Sequence, residues 1–493
     1  MSLWFALGDR CAYRTLSVHL SCSTTGVYVR FATRYEKGDT SIKSEIIEFA
    51  KFKLLGPPDK RGNRESIMAA LGVRVLLDFE PRRQPAVDLE AKLVAGNMRV
   101  VFSVPSHREY LRSGAPSEPI LAEAAAQFMN ETRGWGLSEL RKVVGEGLID
   151  KGERGELVAR CLMLRAFDRA VHKVGGSKNP PFGAQVHPEK LRYSRGIPLV
   201  DFLRALVADG HIEMILKSKP DNIPDGETLE TAFKDARVYF THFAKASNGH
   251  VVSDVTAWMA MARGIIFQCH KQQKKIDLIA YVLLNGEEKL GRKAMTALFI
   301  QIKNSTQKKH ISIDADKLGF FSPGTDEENR RPYITLALQL GVQPTPPSNK
   351  AMVPRKVPVS PSRVSVGEST RTSPRFADRA VHPRYAISIL GCSHTVYGVI
   401  GVDERDDFAA LLASRSLLAE HPRQDPISLE AVRGLKPFWS EESYGWAEHP
   451  EWKAKPRVSK SEGVLTRQWE EAGERAAESS DEESGEEGSW VHD

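Results

Sequence analysis

Three short runs rich in β-branched, aromatic and leucine residues, 265–269, 278–284 and 296–302, follow one another within residues 264–305, each bounded by Gly, Asn or charge. Runs of that length between turn residues read as strands, and three in succession demand a sheet. Side chains alternate along a strand, so Phe299, Gln301 and Lys303 share one face of the third run. Asp277 opens the second run. A carboxylate, an amide oxygen and a lysine are thus set to converge at one edge of a small sheet.

Asp277 followed by Gln301-x-Lys303 resembles the PD-(D/E)XK nuclease superfamily, in which an Asp on one strand and a Glu-x-Lys on the next hold a metal beside the scissile phosphate. Gln replaces Glu here, as it does in the Mrr-like restriction endonucleases. The resemblance implies Asp277, Gln301 and Lys303 as the catalytic set, acting on DNA. It also implies Mg²⁺ held by Asp277, the Gln301 amide oxygen and the Ile302 carbonyl, since this cation favours oxygen ligands. Lys303 would orient the attacking water or steady charge on the phosphorane. Losing one negative ligand weakens such a metal site. The bland alternative is that Asp277 ends a polar turn and Lys303 guards a solvated strand edge.

A second resemblance covers most of residues 1–400. Residues 118–126, 152–160, 240–244, 263–270 and 296–304 resemble blocks that recur in proteins of mushroom-forming fungi. Those proteins are similar to Crinkler-type, transposon-associated effectors, in which a P-loop ATPase-like region precedes a nuclease-like domain. No Gly-x-x-x-x-Gly-Lys-[Ser/Thr] occurs, so the phosphate-cradling loop is missing. The chain reads as a truncated member or as one whose start lies further upstream.

Charge distribution is more informative than the net +6. Between Lys271 and Lys309 nine Lys/Arg face three acids, and Lys271, Lys274, Lys275, Lys308 and Lys309 form a patch suited to nucleic acid. Solubilising lysines on strand ends would look the same. Five scattered cysteines without a Cys-x-x-Cys pair argue for a reducing compartment and against a zinc site. The N-terminal apolar run is too short for a signal peptide and no stretch approaches the ~20 apolar residues of a membrane span. An intracellular protein is expected, the nucleus included, with no membrane partner.

Taken in order, the chain reads as α+β, with a mainly helical N-terminal half and a restriction-endonuclease-like αβββαβ core in the C-terminal half. Residues 1–110 form a mixed segment resembling the end of an ATPase-like region, with a helix at 44–55 and strands at 72–79 and 99–104. Residues 111–215 are helical, with a helix started by Ser117 through 121–129, then 138–144, 155–172 and 198–208. A loop spans 175–195. Residues 225–435 form the nuclease-like domain. It has a helix at 229–236, a strand at 238–244 and a helix at 254–263 with Val255, Trp258, Met259 and Ala262 on one side. The three strands follow, then a helical turn at 314–318, strands at 333–340, 385–390 and 396–402, and a helix at 406–418. A disordered basic insertion occupies 343–383, and 436–493 is a largely disordered acidic tail. Asp254 is a candidate accessory acid or an ordinary helix cap. His242 is a candidate phosphate aid or a hydrogen-bonded structural histidine.

No Gly-x-Ser-x-Gly, His-Glu-x-x-His or glycine-rich dinucleotide loop is present, so serine hydrolase, zinc protease and oxidoreductase readings lack support. Two readings stand: a metal-dependent nuclease, and a catalytically inert module that binds nucleic acid or protein on a degenerate nuclease fold.

Overall fold

The computed structural model describes Arg34 and residues 42–413, except 82, 105–111, 150–153, 175–192, 271–272, 274, 287–289, 322–329, 343–363 and 367–381. Helices come first. α1 (Ile42–Leu55), α2 (Arg64–Val75) and α3 (Gln84–Gly96) precede an antiparallel hairpin of β1 (Val100–Ser103) and β2 (Arg112–Gly114). α4 (Pro119–Glu131), α5 (Leu137–Gly145) and the long α6 (Arg154–Val174) follow. α2 begins where the Asn63 side chain accepts the Ser66 N–H, satisfying one of the free amides of the first turn. α4 is capped by Glu118, which accepts the Ile120 N–H, and not by Ser117.

Residues 72–79 are not a strand, because α2 runs through Val75. Nine of its twelve residues are buried. A helix enclosed on nearly all sides loses its amphipathic period, and Gly72, Val73 and Val75 then imitate a strand.

The second half lays down β3 (Ile197–Pro198), α7 (Leu199–Leu206), α8 (Asp209–Leu216), α9 (Leu229–Ala232), β4 (Arg237–Val238) and β5 (His242–Lys245). α10 (Asp254–Arg263), β6 (Ile265–Gln268), β7 (Leu278–Leu283), β8 (Met295–Lys303) and β9 (Tyr333–Gln339) come next. β10 (Val364–Val366), β11 (Arg384–Leu390) and α11 (Arg405–Leu412) complete the set. β7 runs antiparallel to β6 and β8, β9 lies parallel to β8, and β11 lies parallel to β9. On the other edge of β7 the sheet splits: β6 pairs with its start and leads to β5, while β4 pairs with its end and leads to β3. The result is α+β, N-terminal helices followed by a mixed, curled sheet.

β7 is buried along its whole length and β8 along most of it, as strands covered on both faces should be. α10 lies against β6, β7 and β8, and the start of α6 meets the end of β8, where Gly155 approaches Ile302 and Asn304. Phe299, on the opposite face from Ile302, packs edge-on against Phe320 and Tyr333. Helices and sheet share one continuous hydrophobic core.

α10 begins with the Ser253 hydroxyl accepting the Thr256 N–H and ends at Gly264 with φ +65°, where a Cβ would stand 2.8 Å from the Tyr239 ring. Glycine is required there on both counts. Val255, Trp258 and Met259 share one side as expected, and it is the outer one, 46, 37 and 47% exposed, while Asp254, Ala257, Ala260 and Met261 are buried. The two alanines let the helix approach the sheet closely, so side-chain size misled where backbone proximity decides.

Other boundaries shift as well. The 198–208 helix stops at Leu206 and 238–244 divides into β4 and β5. Residues 314–318 close one helical turn as expected, the Leu318 N–H donating to the Asp314 carbonyl at 3.1 Å, whereas the start of 396–402 is a turn, where Val396 and Tyr397 are apolar because they are buried. Among the described residues of 304–332 there is no helix between β8 and β9. The 343–383 insertion lies outside the described residues except for 364–366, which form β10 against β11, and 382–383. The acidic tail lies wholly outside them. No helix among the described residues is long and apolar enough to cross a membrane.

Candidate functional site

The β7–β8 ladder closes with Leu278 opposite Ile300, and Asp277 stands at the point where the strands part. Its N–H donates to the Ile300 carbonyl at 2.8 Å, and its Oδ2 accepts the Ile302 N–H at 2.5 Å. The carboxylate thus replaces the backbone as the partner of that amide. Burial raises the Asp277 carboxyl above the usual range; the Ile302 N–H and the positive charge of Lys303 pull it back down. Gln301 and Lys303 are half-buried on the Phe299 face. A strand residue directs its N–H and C=O to the same edge, so the Ile302 carbonyl faces the side from which Asp277 approaches. Asp277, Ile302 and Lys303 therefore come together, with Gln301 beside Ile302 on the same strand.

Two further oxygen-bearing side chains meet near the same edge, on the Ile300–Ile302 face of the sheet, opposite that of Gln301 and Lys303. Gln268 closes β6, and the Cys269 N–H donates to the Asp277 carbonyl at 2.8 Å, so the end of β6 lies beside Asp277. Gln268 Nε2 donates to Glu156 Oε2 at 2.6 Å from the first turn of α6. The Cys269 thiol is pushed up to about 12 by burial and then by the negative charges of Asp277 and Glu156, which places both carboxylates within its electrostatic reach. A thiol so held is a poor nucleophile at neutral pH. Glu156 also pairs with Arg160 at 3.8 Å; residues 152–160 form one of the recurring blocks, but nothing in local spacing connects Glu156 to an aspartate 121 positions away.

The accessory candidates lie elsewhere. Asp254 bonds Arg331 at 3.1 Å and Arg292 at 3.3 Å, and Arg331 also donates to the Met295 carbonyl. Asp254 therefore belongs to the opposite end of β8 from Lys303, about 26 Å away along the strand. His242 is fully buried at the start of β5, with Nε2 2.9 Å from Ser117 Oγ and Nδ1 3.0 Å from Thr241 Oγ1. β5 meets Gln268 only at its other end, through Lys245. Burial, helped by Arg263 and Arg74, pushes the His242 imidazole down to about 3, which keeps it neutral.

Of the lysines, Lys271 and Lys274 lie outside the described residues. Lys275 is exposed two positions before Asp277 in a left-handed backbone conformation, φ +79°. Lys308 and Lys309 are exposed, and the Lys309 backbone exchanges hydrogen bonds with the Gln339 side chain, whose residue pairs with Lys303. The described lysines thus gather at the Asp277 end of the sheet. Among the described residues no group of three or more His, Cys, Asp or Glu could hold a metal. Carboxylates and neutral oxygens without imidazole or thiolate still form a donor set that suits a hard cation.

A contrasting carboxylate sits deep in the helical half. Asp168 accepts two bonds from Arg74 at 2.7 and 2.9 Å, one from Asn130 at 2.6 Å and one from the Trp135 indole at 3.3 Å. Arg74 also donates to the Thr241 carbonyl at 2.9 Å, tying α2 to the segment that enters β5. No curated protein and no solved structure matches this chain. Residues 61–179 match a family model described as a domain of unknown function (DUF8736), a stretch that carries Arg74, Asp168 and Glu156.

Proposed function

We propose that this chain is a nuclease-like protein that hydrolyses phosphodiesters of DNA with a divalent cation, using Asp277, Gln301 and Lys303. The observation that carries the reading is the meeting of Asp277 with the Ile302–Lys303 end of β8. The succession of α10, antiparallel β6, β7 and β8, and then β9 parallel to β8 supports a restriction-endonuclease-like core, with the helix that would precede its last strand lacking among the described residues.

Asp277, with the Ile302 carbonyl and the Gln301 amide oxygen, would hold Mg²⁺. When bound, that ion supplies Lewis acidity toward a phosphoryl oxygen and a more acidic water. Lys303 places a fixed positive charge beside the same edge, where it orients an attacking water and steadies the negative charge that develops on the phosphate. Lys275, Lys308 and Lys309 supply sequence-independent attraction for the backbone of the nucleic acid.

Plasmid and single-stranded DNA incubated with the full chain in Mg²⁺, Mn²⁺ or EDTA tests the reading. Cutting should require metal and disappear in Asp277→Ala and in Lys303→Ala; cutting that survives both substitutions sinks the assignment. The second reading, an inert binding module, is favoured by the neutral Gln301 and by the engagement of Asp277 Oδ2 with a backbone amide. It predicts association with DNA that weakens with salt and ignores EDTA.

A further inference from the structure

The chain that leaves β8 turns back over the sheet, and named anchors fix its course. Gln339 stands opposite Lys303 in the parallel β8–β9 register, so the two side chains leave the same face, that of Gln301. Gln339 is only 1% exposed. Its Oε1 accepts the Lys309 N–H at 2.7 Å, its Nε2 donates to the Lys309 carbonyl at 2.9 Å, and the same nitrogen lies 3.3 Å from Ser388 Oγ. A side-chain amide thus pairs with a backbone as a neighbouring strand would, and the two bonds together fix which end of the amide is which. Further along, Arg384 Nη1 donates to the Ile313 carbonyl at 3.4 Å and the Ala315 N–H donates to Tyr333 Oη at 3.4 Å. At the other end, Asn304 Nδ2 donates to the Leu412 carbonyl at 3.0 Å, and a Cβ at Gly341 would stand 2.8 Å from the Asn304 backbone. Residues 305–308 therefore arch out between two fixed ends beside Lys303. No acid occurs from Asn304 to Ile313, and Thr306, Gln307, Lys308 and Lys309 are exposed.

We propose that residues 304–309 form a preset arm that grips the phosphate backbone of DNA on the Lys303 face of the sheet, with Gln339 as its positioning residue, an inference that rests on the DNA-binding part of the reading above and not on cleavage. The chemistry of the arm fits that partner. Two lysines supply charge, and the Thr306 hydroxyl and Gln307 amide supply the neutral donors that phosphate oxygens accept alongside it. A loop clamped before it meets its partner loses little freedom on binding. Gln339 holds the backbone of Lys309 and leaves its ammonium group to the phosphates. A backbone gripped by the arm lies next to Lys303, on the face that also carries Gln301.

Fluorescence anisotropy of a labelled DNA duplex, titrated with the full chain in EDTA over a range of salt concentrations, reads the arm without recourse to cutting. The parent should bind with an affinity that falls steeply with salt. Lys308→Gln combined with Lys309→Gln should lower the slope of log affinity against log salt by about two. Gln339→Leu keeps both lysines, yet it should weaken binding by up to about tenfold and lower the slope as well. Added to the double lysine variant it should change nothing further, because the residues it positions are gone. A residue that only stabilises the fold would weaken binding equally in both backgrounds. If Gln339→Leu does not fold, Gln339→Glu takes its place, since it keeps the acceptor for the Lys309 N–H and loses the donor to the Lys309 carbonyl. An unchanged slope in the double lysine variant, or equal losses at Gln339 in both backgrounds, overturns the inference, while metal-dependent cutting by the parent would still uphold the wider reading. The stated slopes without any cutting in Mg²⁺ or Mn²⁺ would leave the arm standing and sink the nuclease. A parent that binds no duplex overturns both.

Discussion

Asp168, buried in the core, and Asp277, half-buried at the edge of the sheet, are two carboxylates treated in opposite ways. Asp168 receives bonds from an arginine, an amide and an indole, a set that leaves its charge compensated and its oxygens occupied. Asp277 receives a single backbone amide, and its neighbour Gln268 keeps an unpartnered oxygen. The first arrangement is complete without any other molecule. The second leaves oxygen capacity unused at a half-buried edge. Saturation of hydrogen bonds, together with burial, thus separates a carboxylate that holds the fold from one with capacity to bind.

The most severe test of that contrast is Asp168→Ala. It leaves Arg74 buried and uncompensated, and chemical denaturation should show a loss of about 3–5 kcal/mol. A loss no larger than that of Asp277→Ala would erase the distinction.

A pH series probes a third buried acid. Burial pushes the Glu118 carboxyl up to about 7, with its Oε2 unpartnered, while neighbouring His242 is pushed down to about 3. Glu118 therefore adds stability that is full below its ordinary pKa of 4.5 and lost as pH rises through 7. His242 adds stability that is full above 6.5 and lost as pH falls toward 3. Other shifted groups, His382 and His172 among them, add slopes of their own, so the difference between parent and Glu118→Gln isolates the Glu118 contribution. In urea melts the stability of the parent relative to Glu118→Gln should fall by roughly 3 kcal/mol between pH 4.5 and 6.5. A difference that stays constant with pH would show that Glu118 is ionised in the folded chain.

Asp277→Ala should cost only about 1–2 kcal/mol, the consequence of one amide left unpaired, while removing metal-dependent cutting altogether. A cost as large as that of Asp168→Ala would recast Asp277 as a structural cap. Smallest of all, Lys275→Gln and Lys309→Gln should leave stability within about 0.5 kcal/mol. Each should lower the steepness of log affinity against log salt for DNA by about one if the lysine contacts a phosphate. An unchanged salt slope would make them mere solubilising charges.

The central strands were legible because β-branched runs bounded by turn residues have few other conformations open to them, and β6, β7 and β8 lie where the pattern placed them. The phase of α10 was not legible: Trp258 and Met259 are larger and more apolar than Ala257 and Ala260, yet the alanines face the sheet. Nor was the end of α2, whose enclosure on all sides removes the period that marks a helix. In the candidate site, the proximity of Asp277 to Gln301-x-Lys303 follows from strand pairing, which is local in the hairpin. Glu156 and Gln268 come together only through packing between distant segments, and single-sequence spacing contains no record of that.

α6 joins the two places as one rigid rod. Asp168 lies in its middle and Glu156 in its first turn, twelve residues and so about 18 Å apart. Gly155, one residue before Glu156, packs on Ile302 and Asn304 at the end of β8. A tilt of only about five degrees around Asp168 would swing that end of the rod by roughly 1.5 Å, a displacement comparable to those that spoil the alignment of reacting groups. Substitutions in the helical half thus have a mechanical route to the edge where Ile302 and Lys303 stand, and the conservative Asp168→Asn should perturb binding there without touching it.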